Sequence, residues 1–386
     1  MTSKLPRSAH PAGEAAVRAR YSAAAGRREP ALCCPVEYDP SQLEAIPSEV
    51  LERDYGCGNP SRYVREGDAV LDLGSGGGKI CFIASQIVGP GGRVTGVDMN
   101  DEMLALARGA APEVARRVGF DNVRFVKARI QDLGLDLDRI EQRLREQPVQ
   151  GVEDLAIFEA ELERLRRDEP AVPDRSVDVV VSNCVLNLVA EAHREPLVRE
   201  IFRVLRPGGR IAISDIVSDR AVPEHLKADP ELFSGCISGA FHERGLLAGL
   251  EGAGFQGLTI EQWSETPFAV VEGIEFRSIT VTARRGADGA SSDPESAGHE
   301  ATGPGHEADE TVLYRGPWRR VEDDAGNTLE RGRRAGVDAR THALLTGQPY
   351  ADSIVSISGG ARTSARSSQD STPSGRPRGS DRPCCG

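Results

Sequence analysis

No stretch of this chain approaches the roughly 18 consecutive apolar residues that crossing a bilayer demands, so no membrane association is expected. The first thirty residues are rich in Ala, Arg and Ser but lack the apolar core of a secretory signal. Glu14 and Glu29 count against a transit peptide in the same stretch. Positive charge is also short: 47 Lys and Arg face 59 Asp and Glu, leaving a net charge of −12. A protein that displaces counterions from a nucleic acid shows the opposite balance, so that partner class is excluded. Neither a Cys-x-x-Cys pair nor a paired histidine spacing is found beside the cysteines, which argues against structural zinc. Eight cysteines in 386 residues do not make a disulfide scaffold either. The expectation is a cytoplasmic protein whose cysteines are thiols.

A length of 386 residues predicts two to three domains, and 42 Gly with 24 Pro suggests flexible segments around a folded part. Residues 1–13 read as disordered, and Glu14 to Arg28 has helical composition leading to the vicinal pair Cys33-Cys34. From Asp68 the pattern alternates. AVLDL (69–73), RVTGVD (93–98), VRFVKA (123–128), SVDVVVSNC (176–184) and RIAISDI (210–216) read as strands. Helical segments separate them, which predicts an α/β fold with a doubly wound parallel sheet spanning 14–285. The long connection 135–174 carries Leu155, Phe158, Leu162 and Leu165 at helical spacing and reads as a helical insertion packed on the domain. Residues 286–310 hold seven acidic residues and no Lys or Arg, an acidic linker. A small module over 311–358 follows, its segment 311–332 reading as a hairpin that turns at Asp323–Asn327. The tail 359–386, ending Cys384-Cys385-Gly386, is expected to be disordered.

Chemistry enters at Asp72-Leu-Gly74-Ser-Gly76-Gly-Gly78, where the first strand becomes the first helix. Glycines there let backbone approach a ligand, and a helix N-terminus favours polar or anionic groups. The dinucleotide fingerprint needs glycine at 79, where this chain has Lys79. A carboxylate at 72 suits a ligand that carries an ammonium. Asp98, ending the second strand, is placed to accept hydrogen bonds from two ribose hydroxyls. This loop, the following G-V-D, and the turn LRPGGR (205–210) resemble the class I S-adenosylmethionine-dependent methyltransferases, a Rossmann-like fold. The resemblance implies S-adenosylmethionine as cofactor, bound by Asp72, Gly74, Gly76, Gly78, Asp98 and Met99. It further implies Ile130 and Gln131 beside the adenine and Asn183 near the methyl donor.

Three cysteines lie where such a ligand would bind: Cys57 in YGCG before the sheet, Cys184 ending the fourth strand, and Cys236 after the fifth. Cys81, within the first helix, reads as a core residue, and His225 and His242 as surface residues. ALCCPV, YGCG, SNCVLNL and SGCISGA in this order resemble the arsenite S-adenosylmethionine methyltransferases, and YRGPW and GQPYA extend the likeness into the small module. That resemblance implies trivalent arsenic on Cys57, Cys184 and Cys236, with arsenite or methylated arsenicals as substrate. It implies that Cys33 or Cys34 pairs with Cys57 during turnover, reset by a thiol reductant of thioredoxin or glutathione type. Two other readings stay open: a methyltransferase for another small molecule, and a thiol-based metalloid-binding protein.

Overall fold

A computed structural model describes residues 11–26, 36–286, 310–322 and 326–357. The expected acidic linker falls, apart from its end residues, outside them, as do Cys33, Cys34, residues 1–10 and the tail with Cys384 and Cys385. The described chain divides into two units, residues up to 292 and residues from 293.

In the larger unit, β1 (Ala69–Leu73) is buried at every position, as a strand covered on both faces must be. It pairs in parallel with β2 (Arg93–Asp98) on one side. With α4 (Lys79–Val88) and α5 (Asp101–Val118) packed beside them, β3 (Val123–Lys127) closes that edge. On the other side β4 (Val177–Asn183) and β5 (Leu205–Ser218) continue the parallel order, with α8 (Arg194–Val204) between them in sequence. These strands lie within a residue or two of the sequence reading, except that β5 extends five residues earlier and two later.

Beyond β5 the expectation of an all-parallel sheet fails. The order is β3-β2-β1-β4-β5-β9-β7, where β7 spans Phe255–Trp263 and β9 spans Ile274–Arg285. β9 runs antiparallel to both its neighbours. Its other partner β8 (Ala269–Val271) returns through the two-residue turn Glu272-Gly273, both with positive φ, and so compact a turn permits only antiparallel pairing. The short β6 (Phe241–His242) pairs with the end of β5.

Before the sheet come α1 (Pro11–Gly26), which starts inside the stretch expected to be disordered, and the short α2 (Pro40–Leu43) and α3 (Ser48–Glu52). After β5 come α9 (Glu224–Lys227), α10 (Pro230–Ser234) and α11 (Glu243–Gly252). The insertion is a pair of helices, α6 (Leu137–Glu146) and α7 (Val152–Asp168). Its expected apolar face is only partly used: Leu165 is buried, whereas Leu155 is 44% exposed. Ion pairs also link its helices, with Arg166 on Asp132 at 2.9 Å and Arg139 on Glu169 at 2.7 Å.

The smaller unit has β10 (Glu310–Tyr314) at the centre of a sheet ordered β13-β10-β14, with β13 at Arg334–Val337 and β14 at Ile354–Ile357. The expected hairpin is confined to β11 (Arg320–Glu322) and β12 (Thr328–Glu330). Val312, Leu313 and Tyr314 are all buried, so β10 needs partners on both edges and leaves the hairpin. The helix α12 (Ala339–Leu345) adds Leu345 to this core. Among the described residues of both units, no helix is long and apolar enough to cross a membrane.

Candidate active site

The carboxyl ends of the parallel strands face a cavity of about 410 Å³. Asp72, Gly74, Gly76, Asp98, Met99, Ile130, Gln131 and Asn183 all line it, as does Cys184. Gly78 does not. It stands before the first turn of α4, packed on the rings of Phe125 and Phe82.

The loop after β1 is shaped by close approach. Gly74 has φ +67°, and a β-carbon there would lie 2.4 Å from the Val185 side chain. Its N–H donates to the Val97 carbonyl at 2.7 Å, and that of Ser75 to the same oxygen at 2.9 Å. The loop then turns onto Asp98, whose Oδ2 accepts from Gly76 N at 2.9 Å and Oδ1 from Asn100 N at 2.8 Å. The Met99 N–H is a third backbone donor acting on this carboxylate. Burial holds the Asp98 carboxyl above its ordinary range against those backbone donors. Burial likewise pushes Asp72 up to about 7, with the Asp54 and Asp98 charges adding to it. A cation in the cavity would relieve both. Ser75 Oγ is buried in the same wall with no hydrogen-bond partner among the described residues. S-adenosylmethionine fits this lining: an ammonium for Asp72, ribose hydroxyls for Asp98, and a polar atom for Ser75.

Asn183 lines the cavity but its amide serves the protein. Oδ1 accepts from Cys57 N at 2.9 Å and Gly58 N at 3.0 Å, and Nδ2 donates to Gly58 O at 2.8 Å. The residue expected beside the methyl donor is therefore the clamp that draws the YGCG segment against the end of β4. The clamp brings the Cα atoms of Cys57 and Cys184 to 5.8 Å, within disulfide reach, and the two are bonded. The pairing of Cys57 with Cys33 or Cys34 that the resemblance implies during turnover falls outside the described residues. The third thiol, Cys236, donates to the Cys184 carbonyl at 3.2 Å. All three cysteines sit in one buried apolar cluster with Ile216, Ile237 and Phe276. Cys184 and Cys236 have φ of 58° and 61°, a left-handed backbone that non-glycine residues adopt at a cost and that gathers at functional sites.

Several residues of the site carried no signal in the sequence. Asp215 on β5 lies with its carboxylate within 4.8 Å of the Cys57 and Cys184 sulfurs. It accepts from Leu186 N at 2.9 Å and Ile216 N at 2.8 Å, and burial lifts it to about 7. Tyr21, on α1, lines the cavity, stacks edge-on with Tyr55 and lies 3.9 Å from Cys236 Sγ. Burial, then the neighbouring Cys236, raises its hydroxyl well above the ordinary range. Asp54, also in the wall, pairs at 3.0 Å with Lys79, a buried lysine seated over the Tyr38 ring. These contacts are long-range, and only the alternation around a motif is readable from one sequence. His225 is exposed against Glu272 as expected, while His242 is half-buried and caps α11.

Comparison with known proteins places this geometry. The chain is 36% identical over 231 residues to the arsenite methyltransferase of Halobacterium salinarum, covering 59% of this chain and 48% of that protein. It is 36% identical over 214 residues to that of Aquipseudomonas alcaligenes, covering 54% and 51%. To that of Mus musculus it is 30% identical over 220 residues, covering 56% and 49%. The matches thus span about half the length of these relatives. The fold is shared with the crystal structure of CrArsM, an arsenic(III) S-adenosylmethionine methyltransferase from Chlamydomonas reinhardtii. There the TM-score is 0.51 at 24% identity, covering 86% of this chain and all of that one. Residues 301–383, around the smaller unit, match a domain of unknown function, DUF8838. The model of a methyltransferase domain matches residues 65–169 and 167–266, which takes in β1 to β5, the glycine loop and Asp98. With that match running over just more than half its length, the chain belongs to the methyltransferase domain family.

Proposed function

We propose that this chain is an arsenite methyltransferase, moving a methyl group from S-adenosylmethionine to trivalent arsenic held by Cys57, Cys184 and Cys236. One observation carries the reading. Cysteines from three distant segments converge in a single apolar cluster at the cavity, two of them close enough to bond and the third hydrogen-bonded to the second. Soft thiolates select soft centres, and trivalent arsenic is one. The names of the relatives point the same way.

Arsenite exchanges three hydroxyls for three protein sulfurs, and the thiol protons leave with the hydroxyls as three waters. Arsenic so held keeps its lone pair, which is the nucleophile. A sulfonium that loses its methyl becomes a neutral sulfide, so no acid is needed at the leaving group, and the protein supplies position. The arsenic then stands formally at +5, and two electrons return it to +3. Two thiols supply those electrons by closing a disulfide, which an external thiol reductant of thioredoxin or glutathione type reopens. The vicinal Cys33 and Cys34 are the proposed partners of Cys57 in this step. The bond between Cys57 and Cys184 must be reduced before either sulfur can ligate.

The test is to incubate reduced protein with arsenite and methyl-labelled S-adenosylmethionine, then separate the arsenicals. Methylated arsenic is expected from the wild type and none from Cys236→Ser, because a hydroxyl is a poor ligand for a soft metalloid. Label that stays on the donor whatever thiol is added, or full activity in Cys236→Ser, would overturn the reading.

A further inference from the structure

Cys81 stands apart from the arsenic cluster. It is the third residue of α4, fully buried, and belongs to the main apolar core with Val70, Ile80 and Phe82. Packing alone does not describe it. Its Sγ lies against β2, where a β-carbon on Gly96 would come within 2.8 Å, and donates to Asp72 Oδ2 at 3.2 Å. Among the described residues this is the one hydrogen bond the Asp72 carboxylate receives. Asp72 is 2% exposed, and its carboxylate belongs to the cavity wall two residues before Gly74.

We propose that Cys81 is a positioning residue for the methyl donor: its thiol holds the Asp72 carboxylate in place, and available as an anion, for the ammonium of S-adenosylmethionine. The inference rests on the assignment of the cavity to S-adenosylmethionine and is independent of arsenic. The surroundings explain why a donor is needed. Asp72 is buried, and the charged groups that act on it, Asp54 and Asp98, are both acidic and push its carboxyl up, while the Cys81 hydrogen bond pulls it down. Cys81 in turn, buried beside Asp72, is raised well above the usual thiol range and so keeps the proton it donates. A thiol is apolar enough for the core and still able to donate one hydrogen bond. Alanine removes that bond and the bulk of the sulfur together.

The experiment titrates S-adenosylhomocysteine, which carries the same ammonium, into wild type, Cys81→Ala, Cys81→Val and Cys81→Ser by calorimetry at several pH values between 6 and 8. Without the donor the Asp72 carboxyl should titrate higher, leaving less anion at neutral pH. Cys81→Ala and Cys81→Val should bind about three- to tenfold more weakly at pH 7, the deficit growing toward pH 6 and shrinking toward pH 8. Cys81→Ser should recover most of the affinity. The ligand's own ammonium titrates identically against all four proteins, so the ratio to wild type isolates the carboxyl. Cys81→Val fills the space that alanine leaves, so lost packing is separated from a lost donor. A pH-independent deficit, or Cys81→Ser as weak as Cys81→Ala, would make Cys81 a packing residue and overturn the inference. Wild type that binds, with alanine and valine variants that match it, overturns the inference alone. Wild type that does not bind overturns the cavity assignment with it.

Discussion

Asp98 is held by the backbone N–H groups of Gly76, Met99 and Asn100, so its geometry is set before a ligand arrives. Replacing it with alanine removes the carboxylate expected to accept from the ribose hydroxyls and releases the Gly76 turn. The expected loss in affinity for S-adenosylhomocysteine is about 1–3 kcal/mol, the range for hydrogen bonds to a charged group. Isothermal titration reads it directly, and an unchanged constant would move the ribose elsewhere. Asp72 and Asp98 were legible in the sequence because they flank a glycine loop at a strand end, a local pattern. Asp215 and Tyr21 were not, because each acts through a neighbour far away in the chain, and the Cys81 hydrogen bond was not, because it depends on how the glycine loop sets α4 against β1. Asn183 was legible only as a position. Its amide proved to hold the Cys57 segment, a role that depends on where that segment folds back.

At the scale of elements, α1 was readable as a helix but not as part of the site. Arg20 reaches from it to the Glu231 carbonyl at 3.0 Å and Ser234 Oγ at 3.1 Å, just ahead of Cys236. Ser22 accepts from Asn100 Nδ2 at 2.9 Å and donates to Glu102 at 2.7 Å, at the start of α5 just after Asp98. One helix is thus tied to the segment that follows the ribose carboxylate and to the segment that carries the third thiol. Arg20→Ala removes the second tie, and amide exchange across residues 11–26 should quicken by about tenfold, the value of one to two exposed hydrogen bonds. Exchange in β1 to β5 should stay as it was, and S-adenosylhomocysteine should slow α1 again by filling the cavity that Tyr21 lines. Unaltered exchange in α1 would mean the helix is held by its packing on Tyr55 and Met103 instead. The parallel strands were legible because their apolar runs are continuous and their turns glycine-marked. The antiparallel edge was missed because the two-residue turn at Glu272-Gly273 lies beyond the motif-bearing region, where alternation of buried and exposed positions is irregular.

For the whole molecule, the proposed function makes arsenic binding, but not donor binding, depend on the Cys57–Cys184 bond. Three acidic side chains, Asp54, Asp72 and Asp98, line a cavity in a chain of net charge −12, a setting that favours a cationic ligand. None of their contacts passes through Cys57, Cys184 or Cys236. The proposed arsenic ligands are different: with Cys57 and Cys184 bonded to each other, neither offers a thiolate, and Cys236 is the one thiol left of the three. Protein prepared without reductant should therefore bind S-adenosylhomocysteine within about twofold of the reduced form, since the hydrogen bonds that set Asp72 and Asp98 involve neither sulfur of the disulfide. It should fail to bind arsenite. Reduction should expose Cys57 and Cys184 together to alkylation, and arsenite added first should protect both along with Cys236. Peptide mass spectrometry of the alkylated protein, beside calorimetry with each ligand, gives the comparison. Arsenite that binds the oxidised protein as tightly as the reduced one would take Cys57 and Cys184 out of the ligand set. Donor binding that vanishes on oxidation would show instead that the Asn183 clamp transmits strain from the disulfide to the glycine loop, making one site of what the contacts describe as two.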